Sequence, residues 1–405
     1  MSGLKLLSAA LLLMGVALFV GVQGCADPEP PYPPQDYAFS GDYAVLGFGF
    51  NDSNTYFQQR SLVNAADSAI SGSDLLRTGP PAAVPGTVSA AFTLDQTGAL
   101  TIVPSGGSSS LSPAKVRFGA NPVVASAKLL GGSATLEGHV HQPVGDVAYV
   151  GDFESNTFQE LQIFIRRTPD TYSNSTFAGR WGMATMYWWS GSFYTLVGYM
   201  DANANGGVDN FFEYFYNPAD PTEPSSATLS RPDGYWNVSS DGKMTYGPLY
   251  QGYVCDNQDV YLWDAIEYGD SVDFPAPAVG VRMDVNGYDN SALSGSYLIG
   301  GIEANQTSGA RSCLGGLIRF EEIVGVPYFS LHATRNERGG NARTPIDLEG
   351  SYSISADGEL RLFNYAGDEL LRGYVGARGG DNIADRAVAA PVTTPDTFGM
   401  YFIGR

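Results

Sequence analysis

Histidine and cysteine occur only three times each in 405 residues, and this scarcity removes much of the usual catalytic chemistry. Three imidazoles leave little for general-base work near neutral pH. The chain has no G-x-S-x-G elbow, no H-E-x-x-H pair, no phosphate loop and no dinucleotide fingerprint. Basic residues are scarce as well, 22 against 42 acidic, for a net charge of -20. Nucleic-acid binding draws on Lys and Arg that displace counterions, so no nucleic acid is expected as a partner. Charged residues are only 16% of the chain, below the usual value of about 25%. What is abundant is glycine, 50 residues, together with 21 Phe, 24 Tyr and 5 Trp. Such a chain buries a sizeable core, and so much glycine suits a turn-rich all-β protein of two or three domains.

Residues 1–24 read as a signal peptide, with one charge, Lys5, then an apolar run from Leu6 to Val22. The run is too short for a confident membrane span. It ends in Val22-Gln23-Gly24-Cys25, which resembles the bacterial lipoprotein signal; Gln23 departs from the small residue usual there. The resemblance implies cleavage before Cys25 and acylation of Cys25 on its sulfur and its new amino group. Several acyl chains give stable anchoring where one gives marginal binding. An ordinary secretory signal with a chance Cys is the alternative. Residues 25–38 would then be an acylated Cys and a stiff tether. Pro28, Pro30, Pro31, Pro33 and Pro34 favour extended polyproline, and about 12 residues of it reach roughly 35 Å. Loss of Lys5 leaves 21 basic against 42 acidic residues, so anionic lipid would repel the body, and the acyl chains must supply the membrane contact.

Three anchors recur in the same order. FSGDYAV, FAGRWGM and LSGSYLI begin at Phe39, Phe177 and Leu293; the tight turns LDQTGAL, VSSDGKM and ISADGEL follow; LEGHV, YQGYV and LRGYV come third. The opening Gly lies 57, 63 and 63 residues before the turn Gly, and the third Gly lies 28, 30 and 32 residues before a closing Arg. Only the first copy is interrupted, by an insertion over about 104–134. The repeat predicts β modules over 39–168, 177–284 and 293–405. Alternation and turn signals give each about eight strands of about five to nine residues, enough to close an antiparallel up-and-down barrel. A six-unit β-propeller is the alternative. Arg60 to Leu76 offers the best helical face, a weak one. Strands of that length, charged on both sides of the alternation, argue against a membrane-spanning barrel.

With Cys25 acylated, Cys255 and Cys313 remain in a compartment that permits disulfides, and a bridge between modules two and three is expected. Its loop-closure value would be roughly 4 kcal/mol. Two buried thiols are the alternative. Glu137, His139 and His141 share a strand face, as zinc ligands do, but His139 aligns with Tyr253 and Tyr374, which favours a structural ring. Asp201, Asn203, Asn205 and Asp209 have the spacing of an oxygen-ligand calcium loop, although Phe212 stands where a bidentate Glu belongs. No cofactor is expected beyond such a structural calcium; a plain polar hairpin loop is the competing reading.

All five Trp fall in module two, beside FFEYFY at 211–216. Roughly half of these rings must be core. Trp188, Trp189, Tyr194 and Trp236 are the candidates for an exposed face that stacks on sugar or an apolar ligand. The expected protein is therefore a lipid-anchored cell-envelope protein, periplasmic or on the cell surface. Its role is non-catalytic, binding or structural and adhesive, with carbohydrate or an envelope protein as partner. Competing readings are a small apolar-ligand carrier using barrel interiors and a carboxylate-based glycoside hydrolase.

Overall fold

Period-two patterning turns most of the described chain into strand. The structure, a computed structural model, describes residues 38–50, 56–78, 84–94, 99–104, 136–140, 146–151, 159–168, 171–189, 192–217, 220–247, 250–264, 277–285, 287–305, 308–337, 344–392 and 397–405. The signal, Cys25 and the proline-rich tether lie outside these residues. So do His141 and the side chains of Glu137 and His139.

Module 1 contains β1 (Gly41–Phe50), β2 (Tyr56–Ala66), β3 (Ala69–Thr78), β4 (Val84–Leu94), β5 (Ala99–Pro104), β6 (Leu136–Val140), β7 (Val147–Gly151) and β8 (Gln159–Arg167). They pair in sequence order, and β1 pairs antiparallel with β8 to close the barrel. The helix expected over Arg60 to Leu76 is instead the β2–β3 hairpin. Asp67 and Ser68 turn it with φ of 51° and 64°, the left-handed pair that a two-residue hairpin demands. Long-range pairing on both sides of β2 outweighs a weak local periodicity.

A short helix, α1 (Asn174–Phe177), leads into module 2: β9 (Gly179–Trp189), β10 (Ser192–Ala202), β11 (Val208–Asn217), β12 (Asp220–Arg231), β13 (Trp236–Val238), β14 (Lys243–Tyr246), β15 (Tyr250–Val254), β16 (Val260–Asp264) and β17 (Ala278–Met283). The order β12-β11-β10-β9-β17-β16-β15-β14-β13 is that of a barrel slit at one strand. The slit falls between β12 and β13, where Pro232 interrupts the donor row and Gly234 turns with φ 77°. Module 3 is closed: β18 (Gly295–Asn305), β19 (Arg311–Ile323), β20 (Val326–Glu337), β21 (Thr344–Ile354), β22 (Glu359–Asn364), β23 (Glu369–Val375), β24 (Arg386–Pro391) and β25 (Thr397–Gly404). There the equivalent of β12 and β13 is one continuous strand, β21. The architecture is thus three antiparallel sheets, two of them closed eight-stranded barrels.

Several strands exceed the expected length, with β19 at 13 residues and β20 at 12. Their outward positions carry Arg319, His332, Asp347 and Glu349, all exposed, a charged face rather than a lipid-facing one. No helix among the described residues is long and apolar enough to cross a membrane.

Residues 36–405 form one compact unit, and the reason lies in doubly buried strands. On β1, Tyr43 and Val45 point into barrel 1 while Ala44 and Leu46 point out, and all four are buried. β7, β16 and β24 are buried at every position. One apolar cluster gathers the outward residues of β1, β7 and β8 with those of β9, β16 and β17 and with the interior of module 3. The first and last strands of each module therefore carry buried residues on both faces.

The linkers dock by a shared device. Asn174 Oδ1 accepts the Val238 N–H at 2.8 Å, and Asn290 Oδ1 accepts the Ile354 N–H at 2.7 Å. Each closing Arg donates its N–H to the carbonyl of an Asp just before the second-to-last strand of its module: Arg166 to Asp146, Arg282 to Asp259 and Arg405 to Asp385. Arg166 and Arg282 then accept at their carbonyls from Asp256 and Ala377 of the next module.

Candidate functional site

The three modules fill their interiors differently. In barrel 1 the residues facing Gly47 are polar: Gln59 Nε2 donates to Ser61 Oγ at 3.0 Å, and Gln162 Nε2 donates to Glu160 Oε1 at 2.5 Å and to Gln59 Oε1 at 3.4 Å. Module 2 is filled by rings. Phe177 stacks on Trp181 at 4.7 Å and meets Trp236 edge-on at 4.8 Å. Barrel 3 retains a cavity of about 100 Å³. Its walls are aliphatic and aromatic, including Leu314, Phe329, Leu331, Leu362 and Leu371, and its polar residues are Glu303, Arg335 and Tyr401.

Those three groups form one cluster. Glu303 Oε2 accepts from Arg335 Nη2 at 3.2 Å and from Ser312 Oγ at 3.1 Å, while its Oε1 accepts the Tyr401 hydroxyl. Burial raises the Tyr401 hydroxyl well above its usual range, and the Glu303 carboxylate adds to the rise, so the phenol stays protonated and donating. The cavity presents one carboxylate, and that carboxylate is engaged. It reaches solvent at Leu348, which lines it and is 39% exposed. The opening is lateral. β21 pairs with β20 from Thr344 to Ser351 but with β22 only from Gly350 to Ile354, so 344–349 lacks a strand on one side among the described residues. Across that gap stand Leu370, Leu371 and Pro391.

A second cluster lies where the modules meet. Arg386 of β24 is 2% exposed; its Nη2 donates to Asp146 Oδ2 of module 1 at 2.6 Å, and its Nη1 pairs with Asp259 of module 2. Asn257 Nδ2 also donates to Asp146 Oδ2, at 2.6 Å. The Cys255 thiol lies against Asp259 Oδ1 at 2.9 Å. Asp146, Cys255 and Asp259 place ligand atoms within 4.8 Å of one another, a set that could hold a metal ion. The guanidinium among them already supplies the positive charge, so the cluster is a clamp between modules.

The expected Cys255–Cys313 disulfide is not formed. Both are buried free thiols. Cys313 faces module 1, donating to the Glu160 carbonyl at 3.0 Å, while Cys255 sits in the junction just described. Sequence spacing carries no information about which way two Cβ atoms point, and a disulfide needs both distance and direction. Burial pushes the Cys255 thiol up to about 12, so it is protonated and inert at neutral pH. Alkylation of unreduced native protein should leave both thiols unlabelled, and unfolding without reductant should expose both; two unreactive sulfurs after unfolding would mean a bridge.

Of the aromatic candidates, Trp236 is core, not surface: it is 1% exposed and donates its Nε1–H to the Gly207 carbonyl at 2.9 Å. Tyr194 is buried as well. Trp188 and Trp189 close the β9–β10 hairpin opposite Phe193 and Ser192, and their side chains lie outside the described residues. The structure thus does not bring the four together as a face. In the calcium-like loop, Asp201 is held by Arg180 in two hydrogen bonds of 2.7 and 3.0 Å. Asn203 Oδ1 accepts the N–H groups of Asn205 and Gly207, and Asn203 Nδ2 donates to Asp209 and Asp233. These contacts brace the turn as an Asx-type hairpin loop, with side-chain oxygens of three of the four residues, Asp201, Asn203 and Asp209, already in use.

The residues that make the barrel 3 cavity and the Arg386 clamp were not singled out by sequence. A signal existed for part of them. Asp146, Asp259 and Asp385 recur at one repeat position, and Val147 and Val260 occupy the place of Arg386.

No known protein family and no curated protein matches the chain. Among solved structures it is similar to a double mutant of the vaccine antigen transferrin binding protein B from Haemophilus parasuis. That match has 9% identity over 92% of this chain and 76% of that one, with a TM-score of 0.26. It is also similar to transferrin binding protein B of Neisseria meningitidis, at 10% identity over 86% of this chain and 65% of that one, TM-score 0.22. A third is a Nostoc punctiforme protein of unknown function, at 10% identity over 60% and 94%, TM-score 0.19. Likeness at this level decides nothing about activity or partners.

Proposed function

We propose that this chain is a lipid-anchored, non-catalytic binding protein of the bacterial cell envelope, and that it engages its partner at the lateral mouth of barrel 3. The observation that carries the reading is that barrel 3 holds an apolar cavity, and that the cavity opens sideways beside a half-strand with no strand on one side among the described residues. A cavity of about 100 Å³ is well below the roughly 300–1,000 Å³ that enclose small-molecule ligands. It suits an anchor group better than a whole cargo molecule, which weighs against a carrier. The Val-Gln-Gly-Cys signal and proline tether supply the address, and the acidic surface keeps the body off anionic lipid.

Two readouts on one preparation test this. Intact mass and detergent partition should show acyl chains on the wild type and none on Cys25→Ser. Xenon should shift the methyl resonances of Leu348, Leu362 and Leu371, because small apolar cavities admit it. A soluble, unmodified wild type would overturn the anchor, and unmoved methyl resonances would overturn the cavity.

A further inference from the structure

The half-strand beside the cavity has a direction of exposure that can be worked out. The Ser355 N–H donates to the Glu359 carbonyl across the β21–β22 turn, so Ser355 faces β22. Alternation along an antiparallel strand turns Ser353, Ser351, Glu349, Asp347 and Pro345 to the same side. Ser353 and Ser351 meet Arg361 and Phe363 of β22, but the last three have no strand opposite among the described residues. Pro345 fits this assignment, since a residue without an N–H costs nothing on an open edge. The edge therefore offers the N–H groups of Asp347 and Glu349 and the carbonyls of Pro345, Asp347 and Glu349. Ile346 and Leu348 lie between them on the barrel side, and Leu348 lines the cavity mouth. In module 1 the equivalent positions, Pro85, Thr87 and Ser89, each have an interaction partner.

We infer that β21 takes up an extended polypeptide segment by antiparallel strand addition, with an apolar side chain of the segment seated in the barrel 3 cavity. This deepens the proposed function and rests on it. Main-chain pairing would supply affinity and alternate side chains specificity. The charges select the partner. Asp347 and Glu349 are exposed on the outer face, so a second copy of this edge would set acid against acid, whereas a strand of alternating apolar and basic residues sets base against acid outside and apolar groups inside. Their present contacts, His332 Nδ1 on Asp347 at 2.7 Å and the Tyr365 hydroxyl on Glu349 at 2.8 Å, lie on the exposed outer face and leave the edge backbone open. A free apolar molecule would use the cavity and none of this edge.

The test uses the whole mature chain bearing Cys25→Ser and a fluorescent peptide of about ten residues alternating Leu and Lys. In an antiparallel addition, the peptide amides facing β21 belong to the residues opposite Asp347 and Glu349, whose side chains also point outward, namely the lysines. N-methylation of the lysine amides should weaken binding at least roughly tenfold, through the loss of two or three hydrogen bonds. N-methylation of the leucine amides should leave the affinity within about twofold. Equal binding of both methylated peptides would overturn strand addition, because adsorption by charge or greasiness ignores amide position. Absence of peptide binding while xenon still shifts the leucine methyls would overturn it too, yet leave the cavity standing. Failure of both would remove the proposed binding mouth itself.

Discussion

Arg386→Met should lower the unfolding free energy by about 3–5 kcal/mol, the largest single effect we expect at a charged position. The side chain is 2% exposed, Asp146 is fully buried, and the pair joins residues of two modules that lie 240 positions apart in sequence. Taking charges out of water is expensive, so the pair need not add net stability. Removing one member, however, strands the other in a place where water cannot replace it. Asp259 would lose its partner in the same step. Urea unfolding of Arg386→Met and of Arg386→Met with Asp146→Leu separates these terms. The single variant should unfold earlier, and the double variant should recover part of the loss, because an apolar pair of similar size can replace a buried ion pair at little cost. A single variant as stable as the wild type would mean that the junction is open to water and the clamp is not buried in solution.

Trp236→Ala should cost about 3–5 kcal/mol and leave peptide binding at β21 unchanged. The indole packs edge-on against Phe177, next to the Phe177–Trp181 stack, and its Nε1–H satisfies the Gly207 carbonyl. Its removal leaves a cavity that a sheet already bent by the β12–β13 slit is poorly placed to close. A ring used for surface stacking would behave oppositely, with a stability change within about 0.5 kcal/mol and a loss of ligand. Urea unfolding, with peptide anisotropy alongside, distinguishes the two roles. A small stability change would return Trp236 to the surface.

The repeat was legible because the opening glycines, and the turn glycines of modules 2 and 3, hold left-handed backbone positions that other residues fill badly. Gly41, Gly179 and Gly295 all have positive φ, as do the turn residues Gly242 and Gly358. Aromatic abundance carries no such positional signal: the sequence offers Trp236 as one candidate for an exposed face, and the structure buries it. The rings of module 2 fill a barrel that lacks the Leu-rich interior of module 3 and the amide network of module 1. The proposed calcium loop shows a related limit. Spacing located the Asp and Asn residues, but Arg180, which arrives from the paired strand, determines where Asp201 points.

Length, alternation and glycine spacing by themselves determined an all-β chain of three repeated modules, because strand formation and tight turns depend on residues close in sequence. Which faces of those modules are solvent, which are core and which are mouth was decided only by the tertiary structure. Ala44 and Leu46 are buried because modules 2 and 3 stand against them. Arg386 is a clamp because Asp146 and Asp259 arrive from elsewhere in the chain, and Asp347 and Glu349 lie on an open edge because β22 ends too soon to cover them. Each of these depends on what lies across a gap in space, and no local pattern of side chains records that.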